Sequence, residues 1–289
     1  MSQMTPDGLA KPKVKRKKNI FQRAKASKGA QRAGSILFPI ILGVVIVILW
    51  QSGALHRILR TDTYTLPLLT KIISIMADNR AEIMANVAST VKVAAIGLGL
   101  GSVLGYAVAI LAACRPKFGK GGLSVVGAFA SIPVVALAPV MTNWTKDVSS
   151  DASVRSCVAK IIVVMLIAAA NMCLNAYRGL TELPPYAQDL MKTYAAKKRV
   201  TLLKLRIPNS IPYVFIAWKV AVPASIMTTI VSEYFAEYIT GVGRQIRENI
   251  VLAQYSTAWA YIATACIVGI IAYIILMVAQ SIVMRRYQH

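Results

Sequence analysis

The side chains that could do chemistry are few and far apart in sequence. The two histidines are His56 and His289, and the four cysteines are Cys114, Cys157, Cys173 and Cys266. No spacing among them matches a metal-ligand pattern or a disulfide framework, so no metal site is expected. No His/Asp/Glu cluster or Ser/Lys arrangement stands where a membrane-embedded enzyme would need one. Gly97, Gly99 and Gly101 resemble a nucleotide fingerprint, but no strand precedes them and no polar helix start follows; G-x-x-x-x-G-K-[ST] does not occur. What remains is a small set of polar and helix-breaking residues inside apolar runs. Asn171 and Asn175 lie one turn apart on one face, Glu233 ends a run, and Pro133 and Pro139 interrupt ASIPVVALAPVMTNW. Each proline removes a backbone hydrogen bond, and broken helices are tolerated in lipid where they pack inside protein or line a cavity. Amides within a span either join helices or line a path. These five residues are the candidate translocation path, suited to passing a polar solute rather than to making or breaking bonds.

The second feature is the stretch from Pro184 to Pro212, PPYAQDLMKTYAAKKRVTLLKLRIPNSIP. Pro184 and Pro185 suit the first turn of a helix, whose apolar face is Leu190, Met191 and Tyr194. Lys197, Lys198 and Arg199 follow. A second short helical pattern through Leu202, Leu203 and Leu205 is expected to run to Ile207 and stop at Pro208. The whole reads as a helix–turn–helix, basic on one side and apolar on the other.

The elements that must hold these residues are membrane spans. The chain is 56% hydrophobic and only 15% charged, which fits a multi-spanning membrane protein. Its formal charge of +22 lies in tails and loops, not on one folded face, so it points to a lipid membrane and to no specific nucleic-acid partner. Residues 1–34 carry ten Lys or Arg and one acid and are expected to be a disordered cytoplasmic tail. The run that follows reads as a retained first span, because no small-residue cleavage site leads into a polar mature domain. Six runs reach the roughly 20 apolar residues a bilayer requires: about 35–54, 88–113, 123–144, 159–177, 211–235 and 258–283. With both termini cytoplasmic, the inner segments hold 22 of the 33 basic residues and the outer side eight of the eleven acids, as the positive-inside rule demands. Residues 60–85 read as an amphipathic helix on the outer face, and GVGRQIRENIVLAQY as a short external helix. Gly97, Gly101 and Gly105 fall on one helical face and are read as a helix-packing surface. Lys219, inside the fifth run, can snorkel toward the inner interface. The expected fold is all-α: a polytopic membrane protein of about six transmembrane helices with a cytoplasmic coupling helix. Its permease domain spans 35–286, includes the loop 182–212, and is followed by a short tail, 287–289.

These residues together resemble the membrane subunit of binding-protein-dependent ABC importers, in particular the nitrate, sulfonate and taurine branch. The family's twenty-position coupling loop opens on E-A-A, has Gly at position seven and closes on apolar-x-apolar-Pro. In this chain Pro208 fits the last position, with Leu205 and Ile207 before it, Asp189 at the Glu position and Ala195 at the Gly position. Further matches are S-I-P and A-P in the third run, Asn175-Ala176-Tyr177, and Glu233 followed by Gly241-Val242-Gly243. The departures are Asp189, Ala195, Leu190 and Met191 in the loop, and the basic tail. The resemblance implies a bacterial inner-membrane transporter subunit, not an enzyme. It implies a loop of Asp189, Leu190, Met191, Tyr194, Ala195, Arg199, Leu203, Ile207 and Pro208 that docks on a cytoplasmic ATP-binding-cassette ATPase dimer. That partner would bind ATP and Mg, and this chain no cofactor. It also implies a second permease subunit, expected to be identical, and an extracytoplasmic substrate-binding protein. The substrate expected is a small anion (nitrate, bicarbonate, sulfonate or taurine) or a vitamin or pyrimidine precursor. The alternative is an ion-coupled secondary transporter, which would need paired ionisable groups near the midplane; Lys219 alone lies well inside a run.

Overall fold

The computed structural model describes residues 28–285, apart from 237 and 239. Most of the basic tail therefore lies outside the described residues, as do the last four residues. The described residues fall into two units, divided after Arg60.

In the first unit, helix α1 (Lys28–Gln51) is followed by the short α2 (Ala54–Leu59). Residues 28–34, expected to belong to the disordered tail, are the opening turns of α1. Leu37 to Ile48 are exposed on every side, as lipid-facing residues would be.

The second unit begins with α3 (Leu69–Asp78) and α4 (Arg80–Cys114). The amphipathic segment expected over 60–85 is thus divided at Asn79. Its first part is α3, and its second part forms the first turns of the long α4. Asn79 takes both roles, with its N–H bonded to the Ile75 carbonyl and its own carbonyl accepting from Ile83. The third apolar run is split as well, into α5 (Pro116–Ala130) and α6 (Val134–Trp144), with Pro133 just before α6 and Pro139 inside it. Then come α7 (Ala152–Thr181), α8 (Ala187–Thr193), α9 (Lys198–Thr201), a π-helical turn (Leu202–Arg206) and α10 (Ile207–Tyr234). Helices α11 (Val242–Val251) and α12 (Tyr255–Arg285) close the chain. Among the described residues four helices are long and apolar enough to cross a membrane: α4, α7, the continuous helix Lys198–Tyr234, and α12. The first and third runs contribute shorter apolar helices, 37–51 and Val134–Trp144.

Helices α4, α7 and α10 form the centre. Gly97 lies under Val164, Gly101 under Met165 and Ala168, and Gly105 under Ala169, so α4 and α7 run parallel in close contact. A Cβ at Gly97 would meet the Val164 Cβ at 2.6 Å, and one at Gly101 the Met165 carbonyl at 2.5 Å. The glycines thus sit where no side chain fits, and backbone contact replaces the hydrophobic drive that lipid does not supply. Helix α10 runs antiparallel to α4, and three polar rungs join them. Tyr106 and Ser210 hydroxyls lie 2.7 Å apart, the Trp218 indole N–H donates to Ser102 Oγ at 3.0 Å, and the Thr90 hydroxyl donates to Glu233 at 2.9 Å. Ala109, Ala113, Met172, Cys173, Ala176, Leu180 and Ala217 fill the space between the three helices with mostly small side chains. Outside the spans, α7 is started by Asp151, whose Oδ1 accepts from the Ser153 N–H at 2.8 Å. Hydrogen bonds from Ser153, side chain first and backbone second, hold this carboxyl below its ordinary range.

Candidate functional site

The loop between α7 and α10 is built as a protruding helix on a fixed base. Helix α8 starts one turn later than the prolines suggested. Pro184 stays in the preceding loop, its carbonyl accepting from Ala187, and Tyr186 is the N-cap at φ +63°. Tyr186, Leu190 and Tyr194, spaced by four, form one ridge and are 84%, 57% and 75% exposed. Asp189 pairs with Lys192 at 3.0 Å, but both side chains are about 70% exposed and such a pair contributes little.

The end of α8 is a Schellman motif. The Ala196 N–H bonds to the Met191 carbonyl at 2.9 Å, and the Ala195 N–H to the Lys192 carbonyl at 2.8 Å. Ala195, at the position where the family loop has Gly, occupies the left-handed region at φ +49°. The reason for glycine there is therefore visible in the backbone, and the alanine is accommodated with some strain.

Pro208 does not stop the second helix, contrary to the sequence expectation. The π turn Leu202–Arg206 carries the chain directly into α10, with the Ile207 N–H bonded to the Leu202 carbonyl. Pro208, which has no N–H to donate, then sits directly after the π turn and inside the continuous helix Lys198–Tyr234. Arg199 and Leu203 remain exposed, whereas Ile207 packs inward against the central core.

Three side chains fix this base. Arg206 donates through Nη1 to the Ala113 carbonyl in the last turn of α4, at 3.1 Å. Asn209 Nδ2 donates to the Gly179 carbonyl at 2.7 Å and to the Glu182 carbonyl at 3.0 Å, at the end of α7. Ser210 joins Tyr106 of α4. Arg206 and Asn209 thus satisfy carbonyls at the ends of α4 and α7 that would otherwise lack partners.

At the opposite end of the same helices lies a polar clamp. Glu233 is fully buried, and its carboxylate accepts from the Thr90 hydroxyl at 2.9 Å and from the Gly243 N–H at 3.0 Å. Thr90 Oγ1 in turn accepts from the Val242 N–H at 3.0 Å, and Asn86 Oδ1 from the Gly241 N–H at 2.9 Å. Three side chains from α4 and α10 thus hold the three successive N–H groups that open α11, where an anion is favoured. Gly241 has φ +103°, and a Cβ there would collide with the Glu233 carboxylate. Glu233, Gly241 and Gly243, named in the sequence as one match to the family, meet in one contact.

The path candidates are not gathered into one cavity. Asn171 and Asn175 bond to carbonyls of their own helix, Ile167 at 3.0 Å and Asn171 at 2.9 Å, and both are half-buried. The cavity of about 490 Å³ beside the Pro133 break is lined by residues such as Leu137, Met141, Trp144 and Leu166 rather than by either asparagine. Glu233 belongs to the clamp. Among the described residues no group of three metal-ligating side chains comes together.

A bundle of apolar helices joined by small-residue contacts, carrying one protruding loop helix on a braced base, defines a polytopic membrane protein of the permease kind. Residues 101–289 match the family of binding-protein-dependent transport system inner membrane components, and the chain belongs to that family. It is 24% identical over 205 residues to the formylaminopyrimidine transport permease protein ThiX of Halalkalibacterium halodurans, covering 71% of this chain and 78% of that one. It is 23% identical over 246 residues to the bicarbonate transport system permease protein CmpB of a Synechocystis strain, covering 78% and 83%. The nitrate import permease protein NrtB of Synechococcus elongatus matches over 139 residues at 23% identity, covering 48% and 47%. Among solved structures, the inward-facing MetNI methionine ABC transporter has the same fold at TM-score 0.61 and 17% identity, covering 72% of this chain and 96% of the matched chain.

Proposed function

We propose that this chain is the membrane subunit of an ATP-driven importer and takes its driving force through the loop 182–212. The observation that carries this reading is the exposed ridge of Tyr186, Leu190 and Tyr194 on a helix whose base is bonded to α4, α7 and α10. A protruding apolar ridge near the exposed Arg199 suits an apolar groove with an acidic rim on a cytoplasmic ATP-binding-cassette ATPase dimer. ATP and Mg are bound by that partner. Both termini of this chain face the cytoplasm, in the inner membrane of a bacterium. A second permease subunit, an identical chain, completes the pathway, and an extracytoplasmic binding protein delivers the substrate.

The relatives named for bicarbonate, nitrate and formylaminopyrimidine support a small anion or a pyrimidine precursor as substrate. Asn171, Asn175 and the break at Pro133 with Pro139 line the route, and Glu233 holds the outer end of α10 against α11. The test is a double variant, Ala195→Trp with Arg199→Glu, reconstituted with its ATPase and binding protein. ATP hydrolysis without substrate uptake is expected. Undiminished uptake would refute the docking role, and uptake by the chain alone driven by an ion gradient would refute the importer reading.

A further inference from the structure

The inner side of α8 faces a cavity of about 410 Å³, closed on its far side by the end of α4. Its walls include Ala113, Met191 and Leu202, and its cationic lining is Lys192, Lys198 and Arg206; none of the described residues lining it is acidic. Arg206 uses one of its five donors on the Ala113 carbonyl, and the exposed pairing of Lys192 with Asp189 is a weak competitor for that ammonium. The ridge of Tyr186, Leu190 and Tyr194 points away from this space, so a partner seated on the ridge leaves the cavity to another occupant.

We propose that this cavity binds the phosphodiester headgroup of an anionic lipid of the inner leaflet. Basic pockets between membrane helices on the cytoplasmic side take such headgroups, and apolar walls beside three cations suit a phosphate that carries an acyl chain better than a free anion. The bound lipid wedges α8 against the end of α4 and stiffens the connection between the loop and the bundle. The inference rests on the proposed function only for the side of the membrane on which the loop lies.

The test uses the full chain purified alone in detergent, titrated with phosphatidylglycerol or phosphatidylcholine and read by native mass spectrometry. Phosphatidylglycerol is expected to bind in preference. The pair K192Q/K198Q is expected to weaken it by roughly thirtyfold, the combined effect of two basic side chains at an anionic surface. The pair K197Q/K204Q removes the same charge outside the cavity and is expected to leave binding unchanged. A196W fills the space with the charges kept and is expected to abolish the preference.

Equal binding of the two lipids, equal losses in both lysine pairs, or full binding by A196W would overturn the proposal. Displacement of phosphatidylglycerol by millimolar inorganic phosphate would assign the cavity to free phosphate and refute the lipid. No ATPase is present in this assay, so failure here is distinct from failure of ATPase coupling.

Discussion

Glu233→Ala removes the centre of the clamp, and its cost can be worked from the contacts. The Gly243 N–H, bonded to the carboxylate at 3.0 Å, is left buried without a partner, which costs about 1–3 kcal/mol. The N-terminus of α11 loses an adjacent anion, worth about 0.3–1 kcal/mol and up to about 2 in partly buried geometry. The Thr90 hydroxyl adds little, because the Asn86 carbonyl lies 3.1 Å from it and can take its proton. A cavity appears where the side chain was, at a fully buried position. Against these stands the carboxylate's own desolvation, which the variant no longer has to meet. The net expectation is destabilisation by about 3 kcal/mol, a fall in Tm of roughly 6–12 °C for a chain of this size. Thermal unfolding of purified protein, followed by loss of the monodisperse peak on size-exclusion chromatography, measures it. Glu233→Gln keeps the shape and one acceptor and should lose about half as much. Because Thr90 and Glu233 share one network, T90V/E233A should cost less than the sum of the single variants. A Glu233→Ala protein within about 3 °C of the parent, or strict additivity in that pair, would refute the clamp.

Two further outcomes follow from backbone geometry. Ala195→Gly relieves the left-handed strain at φ +49° and should raise hydrogen-exchange protection of residues 190–196 a few-fold, a gain of about 0.5–1 kcal/mol; Ala195→Val should lower it. Gly101→Val drives a side chain into the Met165 carbonyl and should cost about 1–3 kcal/mol or more, read as reduced yield of folded protein, whereas Gly99→Val meets open space and should be tolerated.

Much of the fold was legible because lipid leaves the chain little choice. A run of apolar residues must close its own hydrogen bonds, so run lengths alone located α4, α7, α10 and α12, and the four-residue glycine spacing marked the face α4 offers to α7. Pro133 marked the break between α5 and α6. The loop's frame was also legible: the Gly position held by Ala195 is a backbone requirement, and its positive φ is the physical content of that motif.

Other features depended on which helices lie side by side. Pro208 looked like a stop, but the π turn before it supplies the bond to Ile207, and such a widened turn has no simple residue signature. Arg206 lies in a basic stretch of sequence, and only the approach of the α4 end turns it inward to the Ala113 carbonyl. Thr90 and Glu233 are 143 positions apart and meet because α10 runs antiparallel to α4. The sequence by itself determined the helical class, the extent of the long helices and the location of the loop, because those follow from hydrophobic length and backbone hydrogen bonding. Tertiary structure alone decided what each polar side chain holds, because a buried donor or acceptor is partnered by whatever the packing of distant helices brings within reach.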